Sequence, residues 1–124
     1  MRFAWSVLVL LMVSALKLDA GEPAARLWRV SIVSLAAANA ADIHTSWDKR
    51  ELNPVLASRS PVFGRDAALI KMGILGGVCG VEYLLTRRRP SSRLYRALTL
   101  INFGGAAANG VVAYRNSTLP GAPR

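Results

Sequence analysis

The stretch 67–86 reads AALIKMGILGGVCGVEYLLT, twenty residues that hold two charges, Lys71 and Glu82. Twenty helical residues rise about 30 Å, the thickness of the hydrocarbon core of a bilayer. Basic residues close the stretch on its C-terminal side, Arg87, Arg88 and Arg89. Apolar length with basic flanks predicts a membrane-spanning helix rather than one amphipathic face of a soluble domain.

Working outward, two more blocks share this character. The block 97–114 carries no charge, and the block 28–47 holds VSIVSLAAANAA followed by Asp42 and His44. Each has the length of a span. Trp28, Trp47, Tyr83, Tyr95 and Tyr114 stand near block ends, where an interfacial aromatic belt would sit. A fourth apolar run, 3–16, follows Arg2 and precedes small residues. Residues 1–20 therefore read as a signal peptide or a short membrane anchor. The fold expected is all-α: an integral membrane bundle of three transmembrane helices, 28–47, 67–86 and 97–114, within a domain 28–114. Residues 115–124 are expected to form a flexible tail.

Composition agrees. Of 124 residues, 52% are hydrophobic and 19% charged, with 16 basic residues against 7 acidic and a net charge of +9. Soluble proteins carry about a quarter charged residues. The excess of arginine lies between apolar blocks, at Arg87, Arg88, Arg89, Arg93 and Arg96, rather than beside polar readout residues. That pattern marks membrane flanks and excludes a nucleic-acid partner. By the positive-inside rule the same gap is cytoplasmic; a cleaved signal would place it outside. The two signals oppose each other, and the arginines tip the balance slightly inward.

Enzyme chemistry has little to stand on. Cys79 is the sole cysteine and His44 the sole histidine, so no disulfide framework, multi-cysteine metal site or histidine-based triad can be assembled. No phosphate-binding glycine motif is present. No catalytic residue, cofactor or metal is assigned. Asn53-Pro54 resembles a water-channel half-helix, but one such motif over three spans is too few.

The polar residues within the blocks are the informative ones, because each is costly in lipid. At 100° per residue, Asn39, Asp42 and Ser46 share one arc, with Thr45 at its edge and His44 pointing nearly opposite. On the last block Asn102 and Asn109 share a face with Gly105, Ala106 and Ala113, a small-and-polar stripe suited to packing on another helix. Lys71 and Glu82 lie eleven residues apart, about 16 Å along the axis, and so cannot pair with each other. In an antiparallel series, Asp42, Lys71 and Asn109 all fall about 6–8 Å from the same side. The candidate intramembrane cluster is therefore Asn39, Asp42, Thr45, Ser46, Lys71, Asn102 and Asn109, with Asp42 and Lys71 neutralising each other. Glu82 is expected to reach the nearby arginines by snorkelling.

Gly73, Gly76, Gly77 and Gly80 form a further face opposite Lys71, spaced for close approach of a second helix in a homo-oligomer. Cys79 reads as a small apolar filler among them. In the loop after Trp47, Asn53 and Pro54 suit the start of a short helix reaching about Ser58, ended by Pro61 and Gly64.

The combination Asp42-x-x-Thr45, then Glu51-Leu52-Asn53-Pro54, then an intramembrane Lys71 and an asparagine-bearing last span resembles a family of small bacterial multi-span membrane proteins of unknown function. The resemblance covers about 30–114. It implies a three-span helical unit, with Glu51, Asn53 and Pro54 as a loop motif, in a bacterial inner (cell) membrane, and it implies no activity. The expected role is a non-enzymatic scaffold or accessory subunit with the polar cluster as its lock. The alternative is a small oligomeric transporter or ion-conducting protein using Asp42 and Lys71.

Overall fold

A computed structural model describes residues 22–50 and 61–120. They form three helices: α1, Pro23–Ser46; α2, Arg65–Arg88; and α3, Ser92–Thr118. The only pairing outside them, among the described residues, is a single antiparallel bridge between Arg50 and Val62. The all-helical expectation holds. The signal-like segment 1–20 and the motif Glu51, Asn53 and Pro54 lie outside the described residues.

Local sequence explains where each helix stops and starts. Pro23 opens α1, where its fixed φ fits and its missing N–H costs nothing. After α1 the chain turns through Asp48, whose φ of 59° is a left-handed conformation that aspartate tolerates. Two backbone hydrogen bonds then tie this turn to the entry of α2: Asp48 N–H to Phe63 C=O at 3.1 Å, and Phe63 N–H to Lys49 C=O at 2.8 Å. Asp66 in the first turn of α2 and Arg87 and Arg88 in its last complement the helix dipole. Pro90 forces Arg89 out of the helical region and ends α2. Ser91 caps α3 by accepting the Leu94 N–H at 3.2 Å.

Matched residues run in the same order along α1 and α3: Trp28 meets Tyr95, Ser31 meets Asn102, and Ser46 meets Asn116. The two helices are therefore parallel, and α2 returns antiparallel between them in sequence. α1 lies along α3 over its length, while α2 touches both at few places. The residues α1 buries are mostly small or polar: Ala25, Trp28, Ser31, Ala36, Asn39, Asp42 and Ser46. Small side chains let helix backbones approach closely. Gly105 shows how closely, since a Cβ there would stand 3.0 Å from Leu35 Cδ1. The small-and-polar face read on 97–114 is the one that packs against α1.

The apolar core is thin. Phe63, Ala67 and Ala68 form its cluster, with Ile43 and Ile70 against it. The large aliphatic side chains point outward instead, Ile74 at 59% exposure and Leu100 at 74% among them. α2 and α3 are each long and apolar enough to cross a membrane.

Helix ends differ from expectation in one consequential way. α3 runs to Thr118, so Arg115 and Asn116 belong to a helix and not to a flexible tail. Tyr114 is not the end of its helix.

Candidate functional site

Two polar clusters are buried at opposite ends of the bundle. The first is built on Asp42, near the C-terminus of α1 and 2% exposed. Lys71, from the second turn of α2, forms an ion pair with its Oδ2. Ser46, one turn on, donates its hydroxyl to Asp42 Oδ1 at 3.0 Å. Asn116 of α3 donates Nδ2 to Ser46 Oγ at 2.8 Å, with Asp42 Oδ1 at 3.5 Å. The Lys71 ammonium also stands 5.3 Å from the centre of the Phe63 ring, within cation–π range. All three helices thus meet on one carboxyl group. Just outside, Lys49 donates to the carbonyls of Asn116 and Leu119, the latter at 3.1 Å, closing the C-terminus of α3.

The spacing argument brought Asp42, Ser46 and Lys71 together, and the structure does too. It chose the wrong amide. Asn109 is half-buried and lies two turns, about 10 Å, from Asn116. The error follows from the length of α3: depth counted from Tyr114 places the helix end too early, while the face is right, because seven residues return almost to the same angle. The series Asn102, Asn109, Asn116 carries that spacing and, extended one step, finds the partner. Asn39 is buried one turn from Asp42. Thr45 turns its hydroxyl back to the Ala41 carbonyl at 2.9 Å rather than into the cluster. His44 is exposed.

The second cluster corrects three expectations. Glu82 does not snorkel to the arginines: it is 4% exposed and faces inward. Its Oε2 accepts from Trp28 Nε1 at 2.8 Å and from Asn102 Nδ2 at 2.9 Å. Asn102 therefore serves Glu82 rather than Asp42, and stands about 21 Å along α3 from Asn116. Its other amide hydrogen goes to Ser31 Oγ at 3.2 Å, and Ser31 donates to the Trp28 carbonyl at 2.7 Å. Asn102 Oδ1 is buried without a hydrogen-bond partner. Trp28, read as a belt residue, is buried, with its ring 5.4 Å from that of Tyr95. The missed signal is periodic: Ser31 is eleven residues from Asp42 and so on the same face of α1, with Trp28 a turn before it.

Lys71 and Glu82 share the face of α2 that looks at α1 and α3. Gly73, Gly76, Gly77 and Gly80 lie on the far side, exposed, with nothing within 4 Å of a Cβ built on any of them. Cys79 is a free, half-buried thiol between these faces. Among the described residues no group of three or more His, Cys, Asp and Glu side chains could hold a metal ion.

In the first cluster the one hydroxyl on the carboxyl group, that of Ser46, donates to Asp42, whose other oxygen is taken by Lys71. Each cluster is built on a carboxyl group that receives side chains from the two other helices. No protein-family model, no curated protein and no solved structure matches the chain.

Proposed function

We propose that the chain is an integral membrane protein, its three helices crossing a bacterial inner membrane, that acts without enzymatic chemistry as a scaffold or accessory subunit. One observation carries this reading: polarity is inverted. The fully buried side chains include Asp42, Asn102 and Ser31, while long rows of leucine, isoleucine and valine on α2 and α3 point outward. In water an apolar surface of that extent would drive aggregation. In lipid it is the favourable surface, and the buried hydrogen bonds hold the helices together. α1 is not among the helices long and apolar enough to cross a membrane by themselves, and it packs along α3 with Ser31, Asn39, Asp42 and Ser46 buried.

Extraction of membranes with alkaline carbonate tests this reading. The chain should stay with the pellet and leave it only with detergent; release into the supernatant overturns the proposal. The Asp42–Lys71 pair favours a lock over an ion path, since the carboxyl group is already taken by Lys71, Ser46 and Asn116. The outward glycine stripe of α2 suits a second copy of the chain. Gly77→Leu should then lower the crosslinked oligomer in detergent without unfolding the protomer, and an unchanged fraction removes the stripe from consideration.

A further inference from the structure

The Trp28–Glu82 end of the bundle concentrates arginine in a way the linear sequence understates. The Trp28–Tyr95 ring contact joins the first turns of α1 and α3, and the Trp28–Glu82 hydrogen bond adds the last turns of α2. Three separate stretches of chain therefore bring their charges to one surface. α1 contributes Arg26, α2 and its exit contribute Arg87, Arg88 and Arg89, and α3 contributes Arg93 and Arg96, all exposed. The acids near them among the described residues are Glu22, on the surface, and Glu82, which is buried and turned to Trp28 and Asn102. The parallel α1 and α3 also both point their N-termini, the positive ends of their dipoles, at this surface.

The opposite end carries a smaller surplus of positive charge. There Lys49, Arg50, Arg65 and Arg115 are interspersed with Asp48 and Asp66, and Lys71 is neutralised by Asp42. Both ends are thus net positive, and the arginine end is the more so, with its acids reduced on the surface to Glu22.

We infer that the six-arginine end is a binding surface for the phosphates of anionic glycerophospholipids, on the cytoplasmic side of the membrane. This rests on the membrane reading above. Lipid is the partner because the charges ring the ends of apolar helices, where headgroup phosphates lie, and because the guanidinium fork matches a phosphate in geometry. Basic clusters beside spanning helices gain attraction from an anionic leaflet with each added charge. The same asymmetry adds weight to the positive-inside reading, since α1 brings its own arginine to the side of the 87–96 gap.

The test uses the purified full chain in neutral detergent, titrated with phosphatidylglycerol or phosphatidylcholine in mixed micelles, and follows bound lipid by native mass spectrometry together with the thermal midpoint. Phosphatidylglycerol should bind more tightly and raise the midpoint further. Each arginine is worth about fivefold in affinity, so the combined Arg87→Gln, Arg88→Gln, Arg89→Gln variant should lose about a hundredfold. A second variant, Arg93→Gln with Arg96→Gln, should lose about 25-fold, and covers the case in which the first does not fold. Arg65→Gln with Arg115→Gln, at the other end, should retain the preference. Equal binding of the two lipids overturns the proposal. So does a midpoint gain that inorganic phosphate alone reproduces, which would assign the surface to a soluble anion. Both outcomes leave the membrane reading intact; release by alkaline carbonate removes both.

Discussion

At one end of this bundle a carboxyl group meets an ammonium; at the other it meets an indole and an amide. Asp42 is balanced in charge by Lys71 and saturated by Ser46 and Asn116. Glu82 takes its hydrogen bonds from Trp28 and Asn102, and the amide oxygen of that asparagine is left without a donor. Both carboxyl groups are buried and both join three helices, so burial alone does not distinguish them. What differs is whether the interaction is one of charge or of hydrogen-bond geometry. That difference predicts opposite responses to the same chemical change.

Asp42→Asn keeps the shape and removes the charge, stranding the Lys71 ammonium against an amide. Removing one partner of a fully buried ion pair costs about 3 kcal/mol or more; with the Lys71 side chain 18% exposed, the cost here should be up to about 3 kcal/mol. Asp42→Asn combined with Lys71→Met removes both charges and should recover most of that loss. Unfolding midpoints in detergent for the two single variants and the double decide the matter. Equal losses in singles and double would mean that the pair is not coupled and that the first cluster is no different in kind from the second.

A smaller effect separates the two candidate amides of α3. Asn116→Ala deletes a donor to Ser46 and should cost about 1 kcal/mol. Asn109→Ala, on the same face two turns away, should stay within about 0.5 kcal/mol. The reverse order would restore the depth at which the sequence alone places the third member, and would move the Asp42 cluster inward along α3.

Why one amide was legible and the other was not is a matter of helix ends. Angular position is fixed by 3.6 residues per turn and needs no knowledge of where a helix stops, so the shared faces of Asp42 with Ser46, and of Lys71 with Glu82, could be read directly. Axial level needs an origin. Tyr114 supplied a false one, since the polar residues Arg115, Asn116, Ser117 and Thr118 remain helical. The inward turn of Glu82 was hidden for another reason. A carboxyl group five residues from Arg87 has a plausible surface partner in the sequence, whereas its actual donors lie on other helices, 54 residues away at Trp28 and 20 at Asn102. Sequence spacing gives faces within one helix, and the pairing of faces between helices is decided by packing.

The sharpest form of the comparison is Glu82→Gln. A glutamine at this site keeps an oxygen able to accept from Trp28 and Asn102, so neither buried N–H is orphaned. It also adds an NH2 donor to a side chain already bonded to Asn102, whose Oδ1 is the one buried side-chain nitrogen or oxygen without a partner among the described residues. With both buried donors still paired, the net change should be within about 1 kcal/mol of zero. Glu82→Leu is the control: it has the bulk but no acceptor, and leaves the Trp28 and Asn102 donors unpaired at about 1–3 kcal/mol each. The measurement is again the unfolding midpoint, read beside Asp42→Asn in the same detergent. Should Glu82→Gln fall as far as Asp42→Asn, Glu82 must be held by a positive charge as Asp42 is, with the arginine-rich end its nearest source. The two ends would then be one design used twice rather than two.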